Sequence, residues 1–171
     1  MAIGEEFGIA PGKNTIGKIY TALRMLGFDT VFDTSFSADL TVIEEANELV
    51  YKLENGEKKY PHGNTMPLFT SCCPAWVRFV ETKYPELLPY VSTCKSPMEM
   101  FGAVLKEYYK PADKEAGMET ISVAVMPCVA KKYEAARDEF CRDRVPDVEN
   151  VTTTKELILM IKELGVQLQE I

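Results

Sequence analysis

Met66-Pro67-Leu68-Phe69-Thr70-Ser71-Cys72-Cys73-Pro74-Ala75-Trp76 reads as a strand that runs into two adjacent thiols and then into a helix. Proline suits the first helical position, where its missing N–H would be unsatisfied anyway, so Pro74 marks the helix start. Neighbouring cysteines do not readily bond to each other. Their Cα atoms lie about 3.8 Å apart across a trans peptide, short of ordinary disulfide geometry. Two thiols at one turn therefore invite two different roles. A related turn follows at Ile121 to Met126, an apolar strand that passes through Pro127-Cys128 into a helix from about Ala130. In open α/β sheets the carboxyl ends of the strands line the ligand crevice, so Cys73 and Cys128 are expected to converge there.

Working outward, Ile16, Ile19, Tyr20, Leu23 and Leu26 predict a helix over about Asn14 to Leu26, with Gly27 just past its end. Phe28 to Thr34 is short, apolar and β-branched and reads as a strand. A second helix is expected after Asp39, with Leu40, Ile43, Ala46, Val50 and Leu53 on its buried side. Asn55 to Asn64 reads as an exposed polar loop and carries His62, the single histidine. Ser96-Pro97-Met98-Glu99 has the spacing of a capping box and opens a helix to about Tyr109, with Met98, Phe101, Val104 and Leu105 as core. Asn150 to Thr152 reads as a short strand. Thr153 and Glu156 form a second capping box, backed by Leu157, Ile158, Ile161 and Leu164. The alternation predicts an α/β fold with a largely parallel sheet flanked by helices.

The chain has 171 residues, 46% of them hydrophobic, which suits one domain with a sizeable core. A net charge of −7 argues against a nucleic-acid partner. No apolar run approaches a membrane span and no signal-peptide pattern opens the chain, so a cytoplasmic protein without membrane contact is expected. The five cysteines, Cys72, Cys73, Cys94, Cys128 and Cys141, are odd in number and irregularly spaced. Such a set reads as reduced or metal-bound thiols. Met1 to Phe7 starts abruptly and Gly165 to Ile171 reads as the entry to another strand, so the chain is expected to be part of a larger protein.

Free cysteine is often a buried small hydrophobe, and that reading stands beside metal ligation for Cys73 and Cys128. In favour of ligation, both sit beside helix N-termini, where the macrodipole favours a thiolate, the form that binds iron. If Cys73 faces a cluster, Cys72 points elsewhere and is available to carry protons. A nucleophilic cysteine enzyme needs a base, and His62 lies in a polar loop away from the thiols in sequence. Glu45, Glu48 and Lys52 share one helix face, either as a solvated ion pair or as functional groups. Lys131 and Glu134 follow Cys128 by a turn, either at the surface or with the lysine holding an anionic ligand. Met126 and Trp76 read as core, and Cys94 and Cys141 as structural.

With both motifs in view, the chain resembles the catalytic domain of iron-only, or [FeFe], hydrogenases. Thr70 to Trp76 is similar to that family's first cluster motif, and Met126-Pro127-Cys128-Val129-Ala130-Lys131-Lys132-Tyr133-Glu134 to its second. The likeness runs on through Asp39 to Glu45, Ser92 to Pro97 and Thr153 to Leu157, and so covers essentially the whole chain. The resemblance implies one lobe of that catalytic domain over 1–171. The family carries a [4Fe–4S] cubane joined to a diiron centre with CO and cyanide ligands. By resemblance, Cys73 and Cys128 ligate the cubane and Cys72 relays protons. Glu45, Ser92 and Glu48 continue the relay, Lys131 hydrogen-bonds a cyanide, and Met126 packs against the diiron ligands. Lys52 stands where an arginine is common and Met98 where a glutamine is frequent.

The family's third motif, rich in cysteine and glycine, supplies the remaining cubane cysteines and does not follow Thr153 here, which implies a fragment. The implied reaction is reversible H2 oxidation and proton reduction. Ferredoxin or a similar carrier, H2, protons and the rest of the hydrogenase chain are the implied partners. Two alternatives are a non-catalytic iron–sulfur protein of the cytosolic cluster-assembly group and an inactive fragment without cofactor.

Overall fold

The computed structural model describes residues 2–55 and 66–171. The loop expected around His62 lies outside the described residues. The chain forms two compact units, one of 1–33, 125–129 and 152–171 and one of 34–124 and 130–151. Among the described residues no helix is long and apolar enough to cross a membrane.

The first unit is organised by two helices, α1 (Ile16–Met25) and α7 (Thr154–Glu163). Ala22 and Leu23 of α1 meet Leu157 and Ile161 of α7 in an apolar core that Val166 and Leu168 complete. Both helices end in the same way. Gly27 and Gly165 adopt φ +97° and +76°. Phe28 N–H then reaches the Leu23 carbonyl at 3.2 Å, and Val166 N–H the Ile161 carbonyl, also at 3.2 Å. These Schellman closures satisfy carbonyls that a helix end leaves open. They also turn Phe28 and Val166 back onto the core. Thr153 caps α7 with a reciprocal box, as its spacing predicts: Thr153 Oγ1 accepts from Glu156 N, and Thr153 N donates to Glu156 Oε2 at 2.7 Å.

Two expected strands are absent from this unit. Residues 28–33 run without strand pairing, and Phe28 and Val31 pack their side chains on the apolar core instead. Gly165 to Ile171 likewise forms no strand, because Val166 and Leu168 are drawn into the core. An apolar, β-branched run becomes a strand only where a neighbouring edge offers hydrogen bonds.

The second unit holds α2 (Ser35–Asn55), α3 (Pro74–Lys83), α4 (Pro97–Val104), α5 (Lys110–Glu115) and α6 (Ala130–Ala135). A π-helical turn over Leu105–Tyr109 joins α4 to α5. The expected strand over Met66 to Ser71 contracts to one parallel bridge between Phe69 and Val91. Two 2.7 Å bonds make it, Phe69 N to the Tyr90 carbonyl and Ser92 N to the Phe69 carbonyl. Strand β1 (Val123–Met126) neighbours β4 (Asn150–Thr153), and β2 (Cys141–Arg142) pairs antiparallel with β3 (Val145–Pro146). The β2–β3 turn places Asp143 and Arg144 at φ +54° and +66°. Positive φ at both central residues is what a tight hairpin turn requires. The α/β class therefore holds in a helix-rich form with a small parallel sheet.

The expected buried side of α2 is reversed. Ile43, Val50 and Leu53 are 56%, 51% and 63% exposed, while Ser37, Thr41, Glu48 and Lys52 are buried. Periodicity locates a helix face but does not say which face turns inward, and here the polar stripe has partners inside. Thr41 Oγ1 donates to the Ser37 carbonyl at 2.9 Å. Among the described residues the second unit, unlike the first, buries more polar than apolar side chains, with Val80, Met98 and Val148 among its buried hydrophobes.

The segment before β4 lies directly on α4 at Gly102. A Cβ there would stand 2.5 Å from the Asp147 carbonyl oxygen and 2.7 Å from its carbon. Backbone atoms cannot swing aside as a side chain can. Gly102→Ala is expected to destabilise the protein by about 1–3 kcal/mol, the usual range for overpacking. A fall in the denaturation midpoint checks this, and an unchanged midpoint contradicts the close approach.

Candidate functional site

The vicinal thiols belong to the second unit. Cys73 is the N-cap of α3, in extended conformation (φ −103°, ψ 107°), and its side chain makes no capping bond. Pro74 follows at the first helical position, as expected. The turn is tied from three sides. Ser71 Oγ donates to the Cys94 carbonyl at 2.7 Å, Lys131 Nζ donates to the Cys72 carbonyl at 2.9 Å, and Phe69 meets Trp76 edge-on at 5.9 Å. Cys72 and Cys73 are both exposed free thiols. Their backbone is held while their sulfurs remain available.

Met126 and Cys128 belong to the first unit. Met126 ends β1 and is 8% exposed, and its carbonyl accepts from Thr154 Oγ1 at 3.4 Å. Cys128 is an exposed free thiol just ahead of α6. Among the described residues no cluster of three or more His, Cys, Asp or Glu side chains is assembled. The donor chemistry nonetheless fits iron. Exposed cysteines free of disulfides, such as Cys73 in the one unit and Cys128 in the other, supply thiolates, the form that ligates iron.

The carboxylates of α2 form the best-connected part of the site. Glu48 Oε2 accepts from Ser92 Oγ at 2.6 Å, and Glu48 Oε1 accepts from Thr93 N at 3.3 Å. Lys52 Nζ lies 2.8 Å from Glu48 Oε1, with side chains only 1% and 5% exposed. Burial pushes the Glu48 carboxyl up, but the bonds from Lys52, Ser92 and Thr93 together outweigh it and hold the group below its usual range. The solvated ion pair is thus excluded as a reading of this face. Glu45, one turn earlier, keeps Oε1 buried with no hydrogen-bond partner. Ser92 and Glu48 are in contact, whereas Glu45 lies one turn before Glu48 on α2 and is not bonded at that oxygen.

Lys131 and Glu134 are buried as well, not at the surface. Lys131 Nζ contacts Glu134 Oε2 at 2.7 Å. An ammonium carries three donors, and Glu134 and the Cys72 carbonyl take two of them.

Two groups escaped the sequence reading. Cys94 was expected to be structural, yet its Sγ lies 3.7 Å from Glu48 Oε2 and its N–H donates to Ser92 Oγ at 3.1 Å. Burial pushes this thiol up, and the nearby Glu48 and Glu45 charges add to the shift. The available signal was spacing, since residues two apart in an extended segment share a side. Glu99 was expected to close a capping box. Ser96 Oγ does accept from Glu99 N at 3.4 Å, but the Glu99 carboxylate does not reach back. It is fully buried, and neither oxygen has a hydrogen-bond partner. No local pattern marks such a residue.

The family model "Iron only hydrogenase large subunit, C-terminal domain" matches residues 1–171. A curated relative, the NADP-reducing hydrogenase subunit HndD of Solidesulfovibrio fructosivorans, is 47% identical over 168 residues, covering 96% of this chain and 28% of its own length. Protein NAR1 of Arabidopsis thaliana is 38% identical over 166 residues, covering 90% of this chain and 35% of its own. Among solved structures, apo [FeFe]-hydrogenase HydA1 from Chlamydomonas reinhardtii, variant C377H, superposes with a TM-score of 0.87 at 43% identity, covering 99% of this chain and 42% of that one. The chain thus spans well under half the length of these relatives. The cysteine turns and the partnered carboxylates stand in a chain that belongs to the iron-only hydrogenase large-subunit family, within its C-terminal domain.

Proposed function

We propose that this chain is part of an iron hydrogenase that interconverts H2 with protons and electrons, exchanging electrons with ferredoxin or a similar carrier. The observation that carries this reading is the buried Ser92–Glu48–Lys52 chain in the same unit as an exposed thiol at Cys72. A cubane would be held by Cys73 and Cys128 with cysteines supplied from elsewhere in the protein. When bound, the cubane supplies electrons, and the diiron centre with its CO and cyanide ligands supplies the metal at which H2 is formed or split.

The protein's own residues then handle protons. Cys72 Sγ is the first to take or give one, and Glu45 receives it, with a bridging water as the simplest link to its unpartnered Oε1. The Ser92 hydroxyl, at once donor and acceptor, passes the proton to Glu48 by rotating about its Cβ. Lys52 keeps the Glu48 carboxylate charged between transfers. In place of the arginine common in the family, it does so as a point charge without a bidentate fork. Lys131 would offer its remaining donor to an anionic ligand such as cyanide, and Met126 would pack beside the diiron ligands.

Glu48→Gln keeps the shape of the side chain and removes its proton-accepting charge. In the full-length, metal-loaded protein it is expected to lower H2 evolution by about 10²-fold or more. Near-normal turnover would remove Glu48 from the relay. The cluster-assembly reading draws on the likeness to the cytosolic Fe-S cluster assembly factor narfl of Xenopus tropicalis, 30% identical over 164 residues. It predicts instead an iron-replete wild-type protein that neither evolves nor consumes H2.

A further inference from the structure

Glu99 sits on the buried side of α4, one turn before Gly102, where the glycine lets the Asp147 backbone close over the helix. It is fully buried, and both carboxylate oxygens lack a partner. An unpaired ionised carboxylate in such a place is strongly disfavoured and takes up a proton instead. The surrounding charges come from each packed element. Glu134 and Lys131 act from α6, Asp147 from the segment before β4, and Lys95 from the residues ahead of α4. Asp147 is itself matched by Lys95 and Lys106. Helix α2 also packs on α4 and carries Glu45, Glu48 and Lys52. Glu134 is already taken up by Lys131 at 2.7 Å, and among the described residues no cation is hydrogen-bonded to either Glu99 oxygen. Burial first, then the Glu134 and Asp147 charges, push its carboxyl up to about 7, with Lys95 and Lys131 opposing.

We propose that Glu99 is held as a neutral carboxylic acid and acts as a positioning residue for Lys131. While neutral, it leaves the Lys131 ammonium able to offer its remaining donor to an anionic ligand. Once ionised, it attracts the ammonium and repels the anion, so the lysine holds that ligand less well. The identity of the anion, an iron-bound cyanide, rests on the hydrogenase reading. The protonation state of Glu99 does not. A residue that merely filled space would be replaced by Met or Gln with no change in any pH dependence.

The test uses the full-length protein in two states. In the apo protein, infrared difference spectra are recorded between about pH 5 and 9, a span that brackets the expected midpoint. A carboxylic-acid carbonyl band that titrates near pH 7 in wild type, is absent in Glu99→Gln and returns in Glu99→Asp supports the neutral acid. No titrating band that depends on Glu99 overturns it. In the loaded protein, the cyanide stretch is expected to shift with the same midpoint in wild type and to be pH-independent in Glu99→Gln. Equal shifts in both proteins overturn the coupling to Lys131. A titrating apo band in a protein that never turns over H2 would sink the hydrogenase reading while the charge state of Glu99 stands.

Discussion

Replacing Cys72 by alanine in the full-length, metal-loaded protein is expected to lower H2 turnover by about 10²–10⁴-fold, the range for losing a positioned proton donor and acceptor. Iron content is expected to stay at the wild-type level. The expectation follows from how the turn is built. The Cys72 carbonyl is used by Lys131, Cys73 caps α3 through its backbone, and the Cys72 sulfur is an exposed thiol with no disulfide among the described residues. Its loss leaves the turn and the Cys73 thiol in place. A Cys72→Ser variant separates thiol chemistry from simple hydrogen bonding. A hydroxyl occupies the same position but ionises far less readily, so it should recover little of the rate. Loss of iron together with rate in Cys72→Ala would instead make this sulfur part of the metal site.

Lys131→Met is expected to destabilise the protein by about 3–5 kcal/mol, because it strands the Glu134 carboxylate in the interior. The side chains of the pair are 11% and 4% exposed, so water cannot replace the missing partner. The double variant Lys131→Met with Glu134→Gln should recover most of that stability, since no unpaired charge remains. On the proposed role of Lys131 as an anion donor, it should not recover retention of the diiron centre. Denaturation midpoints of the four proteins in the cycle give the coupling energy directly. Metal analysis of the same samples gives the second readout. Additive losses would mean the two residues do not act as a pair, and full loading of the double variant would remove Lys131 from ligand binding.

Much of this molecule is legible in its sequence where the signal is local. Pro74, the Thr153/Glu156 box and Gly27 fix helix ends through their own backbone chemistry. What escaped depends on partners far away in the chain. Residues 28–33 have strand composition but lack a neighbouring edge. The apolar stripe of α2 is exposed because Glu48 finds Ser92, 44 positions later, on the other side of the helix. Spacing marked Glu45, Glu48 and Lys52 as one face, and only the resemblance to hydrogenases suggested that this face was functional. Glu99 was hidden for a further reason. A Ser-x-x-Glu pattern has a familiar local explanation, and here only its Ser96 half is realised.

The central claim is a division of labour between adjacent sulfurs, Cys73 for iron and Cys72 for protons. It is tested most directly by measuring iron per chain and H2 evolution on the same preparations of full-length Cys72→Ala and Cys73→Ala. The account predicts that Cys72→Ala keeps its iron and loses turnover, while Cys73→Ala loses cubane iron. Near-normal H2 evolution from Cys72→Ala, or an intact cubane in Cys73→Ala, would contradict it.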